Sequence, residues 1–210
     1  MDANFSQFLF HWNKPFLRDQ DLLILFKGES TRRYDAVKYA LKKGIFIHVK
    51  RGVYLLGPPY GKGQCDPFEL AEVLYGPSYI SFESALSYHG WIPEAVYVTI
   101  SACAKRSKII ETCLGNFSYS HTPASHFFMN VSRQGNGENA FFLAEPWKAI
   151  GDMIYSKKKN WKSIKDLSLD LRIEFETMSG SDLVSLAHVA KYYRSANVRQ
   201  VLSRFLKELS

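Results

Sequence analysis

The sequence predicts an α+β chain built in two parts, and three observations lead there. Nearly all of the formal net charge of +7 lies in the first third. Residues 1–63 carry seven Lys and four Arg against five acids, whereas residues 64–210 hold sixteen basic and fifteen acidic side chains. The first part reads as helices followed by two alternating β runs, while the second mixes helical and β periods along its length. Between them, Gly57-Pro58-Pro59-Tyr60-Gly61-Lys62-Gly63 breaks both periods, so the parts are expected at 1–60 and 64–210. An apolar fraction of 46% with 15% aromatic residues supplies core enough to exclude disorder.

In the first part, Phe5, Phe8, Leu9 and Trp12 recur at helical spacing over Asn4 to Trp12, and Pro15 ends that helix. Asp19 is a suitable N-cap for a short helix from Gln20 to Phe26, and Lys27-Gly28-Glu29 makes a turn. Ser30 or Thr31 then caps a helix running to about Lys43, with Gly44 as its C′ residue. Ile45 to Val49 and Val53 to Leu56 flank Lys50-Arg51-Gly52 and read as a hairpin. Helix, short helix, turn, helix and two-stranded wing is the order of a winged helix-turn-helix.

A projection of the third helix at about 100° per residue places Val37, Leu41 and Tyr34 on one stripe, expected to be buried. Asp35, Tyr39, Arg32, Lys43 and Ala36 fall on the opposite, exposed face. Such a face would enter a major groove with Arg32 and Tyr39 at base edges. Ser30 and Thr31 would meet phosphate at the helix N-terminus, and Lys50 and Arg51 would meet it at the wing tip. The candidate DNA-binding set is Ser30, Thr31, Arg32, Arg33, Tyr39, Lys43, Lys50 and Arg51. A solvated basic helix without a partner would also separate its faces, but does not call for a basic tip directly after it.

The second part opens with an amphipathic helix, Asp66 to Leu74, stopped by Gly76-Pro77 before the short extended Tyr79-Ile80. Ser81 caps a helix from Phe82 to Tyr88, ended by Gly90. Strands are expected at Val96–Ser101, Phe117–Ser120, Phe127–Val131 and Phe141–Ala144, the last two forming a hairpin about Gly135-Asn136-Gly137. Pro146 at N1 opens the next helix. Helices are then expected over Ile164–Phe175, Ser181–Ser195 and Val198–Leu209.

Signals for chemistry are weak. Gly61-Lys62-Gly63-Gln64 lacks the spacing of a phosphate loop, and neither GxGxxG nor GxSxG occurs. The acid pairs Asp166/Asp170 and Glu174/Glu176 fit solvated helix faces. Ser81, Glu83, Ser84 and His89 are explained by helix capping and dipole placement. Three scattered cysteines and six histidines give no metal-ligand spacing. No catalytic, metal or cofactor site is therefore expected, and the protein is read as no enzyme. No apolar stretch approaches the roughly 18 residues of a membrane span, and MDANFSQFLFHWNK has no signal-peptide pattern. A soluble, cytoplasmic location is the expectation.

The run Tyr79-Ile80-Ser81-Phe82-Glu83-Ser84-Ala85-Leu86-Ser87-Tyr88-His89-Gly90, followed by Val96-Tyr97-Val98-Thr99-Ile100-Ser101, resembles the central block of AbiEi-family antitoxins. These are the transcription-regulating halves of bacterial abortive-infection toxin–antitoxin pairs. Gly44-Ile45-Phe46 with Lys50-Arg51-Gly52-Val53-Tyr54 is similar to the family's wing. Glu145-Pro146-Trp147-Lys148-Ala149-Ile150-Gly151-Asp152 is similar to its Pro-x-x-Ala-x-x-Asp helix start, with the bulky Trp147 a departure. The motifs occur in the family's order over roughly residues 5 to 155, and the likeness fades beyond about 160. The resemblance implies autorepression through double-stranded DNA at inverted repeats in the protein's own promoter, with contacts mapped to Thr31 through Lys43 and to Lys50-Arg51. It also implies a second domain that counters a co-encoded nucleotidyltransferase-like toxin, in the family without a need for stable contact. Alternatives are a stand-alone regulator, a nucleic-acid-anchored protein whose second part carries a metal-dependent activity, and a module docking an acidic partner.

Overall fold

The computed structural model describes residues 3–136, 139–175 and 179–209. Among these, nine helices and two sheets form a mixed α+β architecture. The chain divides into two compact units. One holds the residues up to Leu74 together with Thr112–Leu114; the other holds Tyr75–Glu111 and Gly115–Ser210.

The first unit begins with α1 (Ala3–His11), β1 (Phe16–Arg18), α2 (Asp19–Leu25) and α3 (Ser30–Lys42), followed by β2 (Phe46–Lys50) and β3 (Val53–Leu56). The strands form an antiparallel sheet in the order β1-β3-β2, with Phe16 opposite Leu55 and His48 opposite Tyr54. β1 is too short to show a period in sequence. It is held at both ends by main-chain bonds, Leu56 N to Pro15 O and Asp19 N to Gly52 O, each 2.9 Å. The core joins one face of α1 to the sheet: Phe5 meets Phe46 edge-on at 5.9 Å, and Phe46 stacks on Tyr54 at 5.3 Å. α2 is capped through Asp21, whose carboxylate accepts from the Arg18 main chain (2.8 Å) and pairs with its guanidinium. Asp19, the expected cap, lies inside the helix. α4 (Pro67–Tyr75) starts where Asp66 accepts from Phe68 N at 2.8 Å.

The second unit is built on a six-stranded mixed sheet of order β6-β7-β5-β4-β9-β8. Its strands are β4 (Ser78–Ile80), β5 (Thr99–Cys103), β6 (Lys108–Thr112), β7 (Gly115–His121), β8 (Val131–Asn136) and β9 (Asn139–Ala144). β4 runs antiparallel to β5 and parallel to β9, and β5 runs parallel to β7. The helices are α5 (Phe82–Tyr88), α6 (Pro146–Ser156), α7 (Ile164–Leu171), α8 (Gly180–Tyr192) and α9 (Ala196–Leu209).

Two strands sit later than their β-rich sequences predict. β5 starts at Thr99 rather than Val96, because the Ser84 hydroxyl, donating to Val98 O and accepting from Ile100 N, takes up the main-chain groups at that entry. β8 starts at Val131 rather than Phe127. Phe127 and Phe128 lie in a turn: Phe127 is buried against Tyr79 (4.8 Å), while Phe128 packs one side on Phe142 (5.2 Å) and stays 45% exposed, so neither follows strand alternation. β8 and β9 pair as the expected hairpin, with Asn136 opposite Asn139; Gly137 lies outside the described residues, as does Glu176. α7 stops at Leu171 rather than reaching Phe175, because Arg172 takes a left-handed conformation.

Candidate nucleic-acid interface

The local sequence explains why α3 projects as a separate helix. Lys27 and Gly28 both adopt positive φ (46° and 83°), which reverses the chain after α2. Glu29 occupies the N-cap, so Ser30 and Thr31 are the first two helical residues rather than its cap. The helix ends at Gly44 in a Schellman arrangement: Gly44 N bonds Leu41 O and Ile45 N bonds Ala40 O.

The buried side of α3 is rotated from the projected stripe. Ala40 is fully buried, and Ala36, Val37 and Leu41 pack partly against the core. Tyr34, expected inside, is 66% exposed; Ala36, expected outside, faces in. Small alanines let α3 approach the core more closely than a tyrosine would, which sets the rotation. Thr31, Arg32, Tyr34, Asp35, Lys38, Tyr39, Lys42 and Lys43 are consequently all exposed. Lys38, Lys42 and Tyr34 join this face although the candidate set omits them; helical spacing from Tyr34 and Asp35 places the two lysines there.

Two members of the set are less available. Arg33 is half-buried and lies near Tyr54, whose phenol pKa is pushed up by burial and by Asp19 and drawn back by the Arg33 charge. Lys50 is a strand residue, half-buried, and its ammonium donates to the Leu74 carbonyl. The hairpin turn therefore presents Arg51, which is exposed beside Gly52 at φ 77°. Arg32 is paired with Glu29 at 3.2 Å, both largely exposed, which makes the pair readily separable. Ser30 and Thr31 stand exposed at the helix start, where the macrodipole favours an anion.

The second unit contains a polar knot that no short sequence window displays. The Asp152 carboxylate on α6 is fully buried and accepts four bonds. Tyr79 Oη and Ser81 Oγ donate to Oδ2 at 2.8 and 2.7 Å; Lys148 Nζ and Tyr193 Oη donate to Oδ1 at 2.9 and 2.7 Å. The Lys148 ammonium also lies over the rings of Tyr193 and Tyr79, 4.5 and 5.3 Å from their centroids. Burial and the Asp152 charge push both phenols to higher pKa, so they remain donors. Ser81 stands at the N-cap of α5, as its sequence suggests, but its hydroxyl is spent on Asp152. Nearby, Glu83 pairs with Lys157, and His89 Nε2 lies 3.0 Å from Ala144 O.

Among the described residues, no group of three or more His, Cys, Asp or Glu side chains could hold a metal ion, and no helix is long and apolar enough to cross a membrane. No protein-family model matches the chain, and no curated protein matches it.

Proposed function

We propose that the first unit is a winged helix-turn-helix that binds double-stranded DNA, with α3 as recognition helix and the β2–β3 hairpin as wing. The observation that carries the reading is the exposed face of α3, where Arg32, Lys38, Lys42 and Lys43 stand with two tyrosines, followed by Arg51 at the hairpin turn. Cations gathered on one helix match what phosphate neutralisation needs, and exposed polar side chains in its N-terminal half match base-edge readout. A three-stranded sheet whose first strand lies between α1 and α2 supports the same fold.

We further propose that the protein is a non-catalytic autorepressor and the antitoxin of a toxin–antitoxin pair, opposing a nucleotidyltransferase-like toxin encoded beside it. In support, two of the three sequence blocks that carry the AbiEi resemblance meet in one place: Tyr79 and Ser81 from the central block bond Asp152 from the Pro146 helix start.

Fluorescence anisotropy on the duplex immediately upstream of the gene, beside a scrambled duplex and at several salt concentrations, tests the reading. Tighter binding to the native duplex is expected, weakened by Arg32→Ala and by Arg51→Ala. Both sites are exposed, so their thermal stability should stay within about 0.5 kcal/mol of wild type. Equal, steeply salt-dependent binding to both duplexes would reduce the surface to a phosphate sensor. No binding at low salt would refute the proposal.

A further inference from the structure

The exposed face of α3 carries one acid among its cations. Asp35 is exposed there, with Arg32 one turn before it and Lys38 and Tyr39 one turn after it. The other acid in this region, Glu29, is neutralised by Arg32 at 3.2 Å. Asp35 is not: among the described residues no hydrogen bond or ion pair engages its carboxylate, although Lys38 stands at the i+3 position where such pairs form. A carboxylate on a phosphate-facing surface repels the backbone it approaches. A helix that only gripped phosphate would bind better without it.

The position within α3 gives that charge a use. Asp35 is the sixth residue of the helix, in the N-terminal half that reaches base edges when a recognition helix lies in the major groove. An ionised carboxylate only accepts hydrogen bonds. In the major groove guanine and thymine present acceptors, adenine sets an acceptor beside its amino group, and cytosine presents the N4 amino group as a donor. Resting on the DNA-binding reading above, we propose that Asp35 accepts from a cytosine N4 amino group and sets the base preference of the interface at one position. Its repulsion from phosphate then disfavours sites that lack the cytosine, so the residue rejects wrong sequences as well as rewarding the right one.

The test is selection of bound duplexes from a randomised pool with the full-length protein, Asp35→Ala and Asp35→Asn, followed by sequencing. Wild type should enrich a motif with cytosine at one position. In Asp35→Ala that position alone should relax, its cytosine preference falling at least about fivefold, while binding to unselected duplex rises as the repulsion is removed. Asp35→Asn should shift the same position toward adenine, whose N6 and N7 suit an amide. Unchanged melting of both variants would show that the fold is kept, as expected for an exposed side chain. A wild-type motif that persists unaltered in both variants overturns this inference and leaves DNA binding standing. A wild-type protein that enriches no sequence overturns the inference and sequence-specific binding together.

Discussion

Removing the carboxylate of the buried Lys148–Asp152 pair should cost far more than removing both charges. The ammonium and the carboxylate are 2.9 Å apart, with side chains only 4% and 0% exposed, and Asp152 also satisfies Tyr79, Ser81 and Tyr193. In Asp152→Asn the amide can still accept from two donors, and the three hydroxyls can turn to suit it. The Lys148 charge cannot. It keeps its place over two aromatic rings but loses its counter-charge, and breaking such a pair costs about 3–5 kcal/mol. Lys148→Met alone leaves a carboxylate with three O–H donors and should cost less. The double variant Lys148→Met/Asp152→Asn buries no charge and should recover much of the loss, with a coupling energy of about 1–3 kcal/mol. Urea unfolding of the four proteins measures all of this. Asp152→Asn within about 0.5 kcal/mol of wild type, or strictly additive singles, would refute the reasoning.

Gly57 and Asp170 provide further tests. A Cβ on Gly57 would stand 2.2 Å from the Gly44 carbonyl oxygen, while Gly57 N donates to Ile45 O at 2.8 Å. Gly57→Ala must part these two chain segments, and about 3 kcal/mol of lost stability is expected in urea unfolding, summing overpacking and a broken buried bond. Gly180→Ala, with no atom within 4 Å of the new Cβ, should by contrast be neutral or stabilising by up to about 1 kcal/mol; a Gly57→Ala protein as stable as Gly180→Ala would contradict the close approach. The Asp170 carboxyl is held below its ordinary pKa by Lys159 (2.6 Å) and by the Trp161 indole (2.9 Å). A depressed folded pKa contributes stability above the ordinary carboxylate range and loses it as pH falls through the folded value. Because Asp170 is 41% exposed, the effect is a few tenths of a kcal/mol. The melting difference between wild type and Asp170→Asn should be present at neutral pH and vanish at about pH 2; a gap that persists in acid would exclude the linkage.

The elements that sequence alone placed well are those specified by local signals. α1 shows its apolar spacing, the C-terminus of α3 its Gly44, α6 its Pro146 and the hairpin its Arg51-Gly52 turn. What stayed hidden was decided by contacts between distant residues. β1 exists because β3 pairs with it, and nothing in Phe16-Leu17-Arg18 announces a strand. Val96–Val98 have strand composition yet remain outside the sheet, and Tyr97 is 92% exposed. Helical projection gave the polarity of α3 but not its rotation, because two alanines packing close to the core outweigh one tyrosine on the apolar stripe. Lys50 looked like a free tip residue, since its acceptor, the Leu74 carbonyl, lies 24 positions away.

The buried knot also separates two meanings of a sequence resemblance. Tyr79, Ser81, Lys148 and Asp152 belong to the blocks that resemble the antitoxin family, and all four are buried. A side chain with almost no exposed surface cannot make an extended contact with a partner molecule without unfolding its surroundings. What these residues do is join β4, α5 and α6, with Tyr193 tying in the end of α8. On the antitoxin reading proposed above, likeness at these buried positions would be likeness of scaffold, and any neutralising contact would have to come from side chains on the surface of that scaffold. Ser81→Ala distinguishes these roles. It removes one of two donors to Asp152 Oδ2 and should lower stability by about 1–2 kcal/mol while leaving the proposed DNA binding and toxin neutralisation unchanged at temperatures where the variant is folded. Lost neutralisation by a fully folded Ser81→Ala protein would show that the buried motif itself carries the activity.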